Sequence, residues 1–326
     1  AYLLSNLFAN LAAAGLNISY GFLHEPAGYD VQQTLIEYTS QSSHLRAAWV
    51  GILNTLLVAF LACLTATVLG VIAGVLRLSN NWLVSKLMSA YVEAFRNVPV
   101  LIWILVINTI VITMPAPRAY RGETPDAEMF LGLIAYTNRG VYIPAPTWGP
   151  GSGFVALVFL ASIAAIIMGR PVGIEVPALQ GFNFQGGTQI GRPLIALWLA
   201  LSVYTGAFIA ENVRAGSQAV SKGQTEAASS LGLRPNRVMN LVVLPQALRV
   251  IIPPLISQYL NITKNSSLAI AVGYADVTAT LGGITLNQTG RALECILLLM
   301  LFYLTISLLI SAVMNVYNQS VSLKER

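Results

Sequence analysis

Residues able to do covalent or metal chemistry are scarce in this chain. The two histidines, His24 and His44, stand alone in sequence, and the two cysteines, Cys63 and Cys295, lie inside apolar runs. Isolated histidines of this kind read as solvated loop residues, and such cysteines as small buried hydrophobes. Neither a metal site nor a disulfide framework is indicated. The Gly-x-x-x-x-Gly-Lys-[Ser/Thr] run that would cradle a nucleotide's phosphates is absent from the sequence. What remains is non-covalent chemistry. Asn54 and Thr55 sit in one apolar run, and Asn261, Lys264, Asn265, Ser266 and Ser267 sit in or beside another. Polar groups at such depths are costly, so each is a candidate for the path of a polar solute. A carboxylate could pair with Lys264 or with the amide and hydroxyl donors around it. The competing reading has Lys264 snorkelling to an interface while the Asn and Ser groups bond locally. Glu211 with Arg214, Glu93 with Arg96, and Arg291 with Glu294 each have i, i+3 spacing, which permits a pair on a helix. The first two pairs, with Pro99 nearby, read as braces of a gate, and the third as a local pair.

The elements that carry these residues are set by composition. Of 326 residues, 56% are hydrophobic and only 10% charged, with 18 Lys and Arg against 13 Asp and Glu, a net +5. Mean hydropathy is +0.68. A soluble domain usually carries about 25% charged residues, so an ordinary cytosolic enzyme is disfavoured. The basic residues are scattered and form no basic face, which argues against nucleic acid despite a pI near 9.3. The apolar content excludes disorder.

Six uncharged runs read as spans: 47–76, 97–117, 140–169, 193–210, 250–263 and 295–323. Most are long enough to cross a bilayer core. Pro253-Pro254 predicts a kink in the fifth, which is also the shortest. Residues 1–23 are apolar but broken by Asn6, Asn10, Asn17 and Ser19, and read as an interfacial helix within an outer segment 1–45. Gly70 and Gly74 make a small-xxx-small face suited to helix packing.

Lysine and arginine placement orients these spans. Residues 1–45 contain no basic residue but do contain Glu25, Asp30 and Glu37, so they face outward. Arg77, Lys86 and Arg96 face the cytoplasm, as do Lys222, Arg234, Arg237, Arg249, Lys324 and Arg326. The loop 118–150 then lies outside, and spans over 153–168 and 193–210 would return Lys222–Arg249 to the outside as well. Parity fails by one crossing. Either 153–168 is re-entrant, or 193–210 does not cross, or one further helix is missing near 167–170. By the same count, a cytoplasmic N-terminus requires a helix before Ala1.

One stretch carries more information than the others. Ser221-x-x-Gln224 fits a capping box opening a short helix. Small Ala227 and Ala228 let that helix sit deep in a partner groove. Gly232 can end it with positive φ, Pro235 suits the first turn of a second helix, and Pro245 leads into the next span. Helix, sharp turn, helix on the cytoplasmic face is the prediction. In full, Glu226-Ala227-Ala228, three residues, Gly232, nine residues, Val242, one residue, Leu244-Pro245 resembles the EAA signature of ABC-importer permeases. Arg234 lies inside the same motif. Tyr91 to Pro99, Tyr204 to Gly216 and Lys264 to Ala269 resemble the polar-amino-acid branch. Pro177 to Gly186 and Lys264 to Asp276 are similar to the general L-amino-acid permeases (Aap/Bzt/Nat type), which carry an additional basic loop and helix just before that first stretch.

The resemblance covers most of 45–326. It implies an all-α polytopic membrane protein with the type I importer (MetI-like) fold, six spans visible and eight in the full protein. Its coupling loop, 216–249, would dock on an ABC ATPase dimer. ATP and Mg would be held by those partner subunits and no cofactor by this chain, which would have no ATPase activity of its own. A second permease subunit, making a heterodimer, and a periplasmic amino-acid-binding protein would complete the importer in the cell inner membrane. A secondary transporter driven by an ion gradient is the rival, but it would want ionisable residues near mid-span and internal repeats.

Overall fold

The computed structural model describes residues 2–13, 15, 18–121, 126–148 and 172–321. The run 153–168, expected to span, and the missing-helix position at 167–170 lie outside the described residues. The chain divides into two compact units, one of residues 1–101 and 200–326, the other of residues 102–199.

The first unit is helical. It opens with α1 (Tyr2–Ala13) and a short turn at Gly21–His24. The long helix α2 (His44–Arg77) starts where Ser43 accepts a hydrogen bond from the Arg46 amide. A four-residue link leads to α3 (Trp82–Asn97), capped by Asn81, whose Oδ1 accepts from the amides of Leu83 and Val84. Pro99 ends α3. It forces the residue before it out of helical geometry, and Val98 is extended at φ −114°, ψ 133°. A new helix, α4 (Val100–Ile112), begins directly afterwards and carries the chain into the second unit from residue 102. The uncharged run 97–117 is therefore not one straight span. Its helix has 13 residues, too short to cross alone, and it meets α3 at a bend of 108°.

Helix α5 (Arg192–Gln218) runs into α6 (Lys222–Ser230) and α7 (Pro235–Val238). A π-turn, Met239–Val243, joins α7 to α8 (Leu244–Asn265). Pro253 and Pro254 lie inside α8, where they cannot donate to the carbonyls of Arg249 and Val250. The fifth span is longer than 250–263 suggested: helical structure is continuous over Pro235–Val272. After a left-handed Gly273, the π-helical stretch Thr278–Thr285 leads to α9 (Leu286–Thr289) and the final α10 (Ala292–Val321). Four helical stretches among the described residues are long and apolar enough to cross a membrane, His44–Arg77, Arg192–Gln218, Pro235–Val272 and Ala292–Gln319. The α3–α4 pair makes a fifth if it is one bent span.

The second unit corrects the all-α expectation. Its described residues include seven strands of three or four residues. Strands β1 (Ala135–Thr137), β2 (Gly140–Ile143) and β7 (Thr188–Gly191) form an antiparallel sheet in that order. The pairs β3 (Ala145–Trp148) with β4 (Val172–Glu175), and β5 (Ala178–Gln180) with β6 (Asn183–Gln185), are also antiparallel. Ala135, Tyr142 and Phe184 form the core, and the Tyr142 hydroxyl donates to Asn183 Oδ1 at 2.8 Å. Strands this short leave too few alternations to read from sequence.

Candidate functional site

The predicted hairpin is present. Helix α6 occupies Lys222–Ser230, Gly232 takes φ +78°, and Pro235 opens α7 in its first turn. Only glycine reaches that φ without strain, which is why the helix can stop and reverse there. The capping box does not form. Ser221 is the N-cap, but its side chain makes no capping bond, and the Gln224 amide bonds the Ser221 carbonyl instead, at 3.2 Å. Ala228 is buried against the hairpin, whereas Glu226, Ala227, Gly232 and Arg234 are exposed. So are Leu231, at 82%, Met239, Leu241 and Leu244, while Pro245 is half-buried. Leu231 thus stands bare at the turn of the hairpin, while Met239, Leu241 and Leu244 lie at the start of the candidate span Pro235–Val272.

At its base the hairpin is held closely. A Cβ placed on Gly216 would lie 2.4 Å from Ile251 Cγ1 and 3.1 Å from the Ala247 carbonyl oxygen. The end of α5 and the start of α8 are thus in backbone-close contact.

One turn before Gly216, Glu211 gathers three arginines. Its Oε1 accepts from Arg214 Nη2 at 2.5 Å, Arg77 Nη1 donates to Oε2, and Arg96 Nη1 lies 3.9 Å from Oε2. The Glu211–Arg214 pair is as the spacing predicted. The Glu93–Arg96 pair is not. Glu93 is exposed and joins none of the ion pairs among the described residues. Arg96 turns the other way, toward Glu211 and over the Phe208 ring, 5.2 Å from its centroid. A guanidinium gains more from a carboxylate plus an aromatic face than from one solvated Glu. Arg77 is the member that sequence spacing could not reveal, being 134 positions from Glu211.

The proposed path residues fall into two groups. Asn54 and Thr55 are fully buried. Asn54 Nδ2 donates to the carbonyls of Gln33, at 2.8 Å, and Ala275, at 2.9 Å. Thr55 Oγ1 donates to the Gly51 carbonyl and accepts from the Val277 amide at 3.1 Å. These side chains fasten α2 to the segment around Gln33 and to the Gly273–Val277 turn. In the second group Ser266 is buried, Asn265 and Ser267 are half-buried, and Asn261 and Lys264 are exposed. Ser266 and Ser267 donate to the carbonyls of Thr263 and Lys264, which is the local bonding the competing reading expected. Arg291 and Glu294 form the expected local pair at 3.4 Å, and Glu294 Oε1 also accepts from the Ser19 amide at 3.1 Å.

Asp276 is marked in the sequence only as the end of a resembling stretch, and its setting emerges from the fold. It is completely buried in the turn ahead of the π-helical stretch, outside the candidate spans. Oδ1 accepts from the Ala279 amide at 2.8 Å, and Oδ2 has no partner, nor has Asn54 Oδ1. Burial pushes the Asp276 carboxyl up to about 6. Nearby, Asp30, Gln32, Tyr274, Asn287 and Gln288 supply the polar lining of a cavity of about 680 Å³. His44 is not a solvated loop residue: it is buried, with Nδ1 3.1 Å from Thr285 Oγ1.

Comparison with known proteins places this architecture. Residues 66–323 match the family model described as "Binding-protein-dependent transport system inner membrane component". The chain is 49% identical to the Rhodobacter capsulatus "Glutamate/glutamine/aspartate/asparagine transport system permease protein BztB", over 100% of this chain and 90% of that one. It is 41% identical to the Rhizobium johnstonii "General L-amino acid transport system permease protein AapQ", over 98% and 88%. Among solved structures, "Crystal structure of an amino acid ABC transporter with histidines" matches with a TM-score of 0.55 at 21% identity, over 85% of this chain and 95% of that one. A MetNI methionine ABC transporter in an inward-facing conformation matches with a TM-score of 0.52 at 18% identity, over 86% and 98%. The helical membrane fold is that of an ABC importer permease, and the chain belongs to the family of binding-protein-dependent transport system inner membrane components, the permease subunits of ABC importers.

Proposed function

We propose that this chain forms part of the path by which an ATP-driven importer carries polar L-amino acids across the cell inner membrane. The observation that carries the reading is the hairpin Glu226–Pro245, which turns at Gly232 and leaves Leu231 82% exposed beside the buried Ala228 and Val238. It is built to receive the groove of an ABC ATPase, where ATP and Mg are held. The amino-acid class rests on the names of relatives at 49% and 41% identity. Closure of the ATPase pair draws two such hairpins together, and the attached helices swing from an inward to an outward opening. A loaded periplasmic binding protein then delivers its amino acid on the outer side, where the segment 1–45 and the loop 118–150 lie. The second hairpin comes from a different permease subunit.

The polar side chains exposed at the end of α8, Asn261 and Lys264, are the remaining candidates for contact with the solute. Glu211 with its arginines braces the cytoplasmic gate. The four long apolar helices and the bent α3–α4 pair account for five of the six spans read from the sequence. The alignment with BztB supports a missing internal piece: it runs over 385 positions and takes in all 326 residues of this chain, so at least 59 positions face no residue here.

The test is uptake of radiolabelled glutamate, glutamine, aspartate and asparagine into proteoliposomes holding the complete transporter. Uptake that requires both ATP inside and the binding protein outside is the expected result. Uptake driven by an ion gradient without ATP would overturn it in favour of a secondary transporter.

A further inference from the structure

We infer that Glu211, with Arg77 as its positioning partner, is the joint that makes α2, α3 and α5 move as one body with the coupling hairpin. The inference rests on the importer reading above and names how that importer transmits force.

Three observations meet at this place. First, α2 and α5 are in backbone contact. A Cβ on Gly74 would lie 2.7 Å from the Ala210 carbonyl oxygen and from Val213 Cβ, and one on Gly70 would lie 2.6 Å from Ile209 Cβ. Ala73, Val92, Ala207 and Ala210 make a buried core with Met88, Tyr91 and Phe95 of α3 around it. Small residues at this density leave no room for the helices to slide past one another. Second, the ends are fastened by directed bonds. Arg77 Nε donates to Ser89 Oγ at 3.0 Å, and Ser85 Oγ donates to the Arg77 carbonyl at 2.8 Å, so the end of α2 is tied twice to α3. The Tyr91 hydroxyl donates to the Val203 carbonyl at 2.6 Å, tying α3 to α5. Third, Arg77 also donates through Nη1 to Glu211, which lies one turn before the hairpin's base. Arg214 holds the same carboxylate and bonds Gln218 Oε1 at 2.6 Å, at the last residue of α5.

The arginine fork thus spans three helices. Nε reaches α3, Nη1 reaches α5, and the residue itself ends α2. A displacement of the hairpin is delivered to Gln218 and Glu211 before it reaches any other helix of this group. With the joint intact it becomes a rigid movement of three helices. Without the joint, α2 and α3 stay packed on α5 as far as Val213, but the last turn of α5 bends and the hairpin's displacement is no longer delivered in full. A lysine could hold one partner but not both, because it presents a single point charge and not a fork.

The test uses the complete transporter in proteoliposomes, with uptake and ATP hydrolysis measured together. Arg77→Gln and Glu211→Gln are each expected to keep ATP hydrolysis within about two-fold while amino acid imported per ATP falls at least ten-fold. The double variant should be no worse than the worse single one, and Arg77→Lys should fall between Arg77→Gln and the unaltered protein. A paired spin-label distance between Leu87→Cys on α3 and Lys222→Cys at the hairpin, with Cys63 and Cys295 replaced by Ala, reads the joint without transport. It should stay constant between ATP-free and ATP-bound states, and change when Arg77→Gln is added. Multiplicative losses in the double variant, normal import per ATP in Arg77→Gln, or a distance that changes with ATP in the otherwise unaltered chain would each overturn the joint. The reading as an importer is lost only if the unaltered transporter shows no uptake dependent on ATP and the binding protein.

Discussion

Asn54→Ala separates two roles for the same residue. As a path residue, Asn54 would touch the solute, and its loss would change which amino acids are carried. In the structure its amide is fully buried and spends both N–H groups on protein carbonyls, of Gln33 at 2.8 Å and Ala275 at 2.9 Å. Each such bond has a net worth of about 0.5–1.5 kcal/mol, so losing both costs about 1–3 kcal/mol. Removing the unpartnered Oδ1 returns a part of this. With an unfolding entropy of about 2.1 cal/mol/K per residue, the melting temperature should fall by roughly 1.5–4 °C. The assay is thermal unfolding of the detergent-solubilised transporter, alongside competition among amino acids for uptake. Protease sensitivity around Gln33 should rise in parallel, because Asn54 holds the Gln33 carbonyl. Asn54→Asp should be worse than Asn54→Ala. It puts a carboxylate against two carbonyl oxygens with no donor to satisfy it. An unchanged melting temperature together with a changed amino-acid preference would refute the reasoning and return Asn54 to the path.

Other outcomes follow from the same geometry. Gly232→Leu should uncouple ATP hydrolysis from uptake without lowering membrane abundance, since φ +78° costs a side chain about 1–2 kcal/mol locally and no atom stands within 4 Å to clash. Normal uptake by that variant would remove the hairpin's tight turn from the coupling path. Gly74→Leu should impair assembly outright, because the added side chain meets the Ala210 carbonyl, and a fall in the amount of folded transporter on gel filtration checks it. Lys264→Ala should lower uptake of anionic amino acids more than neutral ones, with equal effects on both classes excluding it from the path. Asp276 has a folded-state pKa of about 6 against 3.8 when unperturbed. Its stabilising contribution is therefore fully present below about pH 3.8 and is lost as pH rises through about 6. Asp276→Asn should flatten that decline in melting temperature, and an unchanged pH profile would show that Asp276 does not titrate in this window.

Much of this protein was legible as a string of residues because the physics that decides it is local or one-dimensional. Long uncharged helices are read from composition alone, and both ends of α2 and α10 and the start of α5 were found within a few residues, although α5 runs eight residues past its uncharged run. The hairpin was equally legible, because a positive φ at Gly232 and a proline at the head of α7 are properties of those residues themselves. The break at Val98 carried its signal too, in Pro99, although the apolar run on either side hid it.

Tertiary structure alone decided the rest. The strands of the second unit are three or four residues long and are specified by pairing between segments such as Ala145–Trp148 and Val172–Glu175, not by a local pattern. Arg96 had two carboxylates within reach in principle, and packing against Phe208 on another helix chose Glu211 over its sequence neighbour Glu93. Asn54 looked like a residue for solute because a polar group in an apolar run has no visible partner, but the partner was a backbone carbonyl 221 positions away. A hydrogen bond is directional and short-ranged, so its partner is fixed by where the folded chain brings two atoms together. Sequence spacing measures that distance only within a single helix.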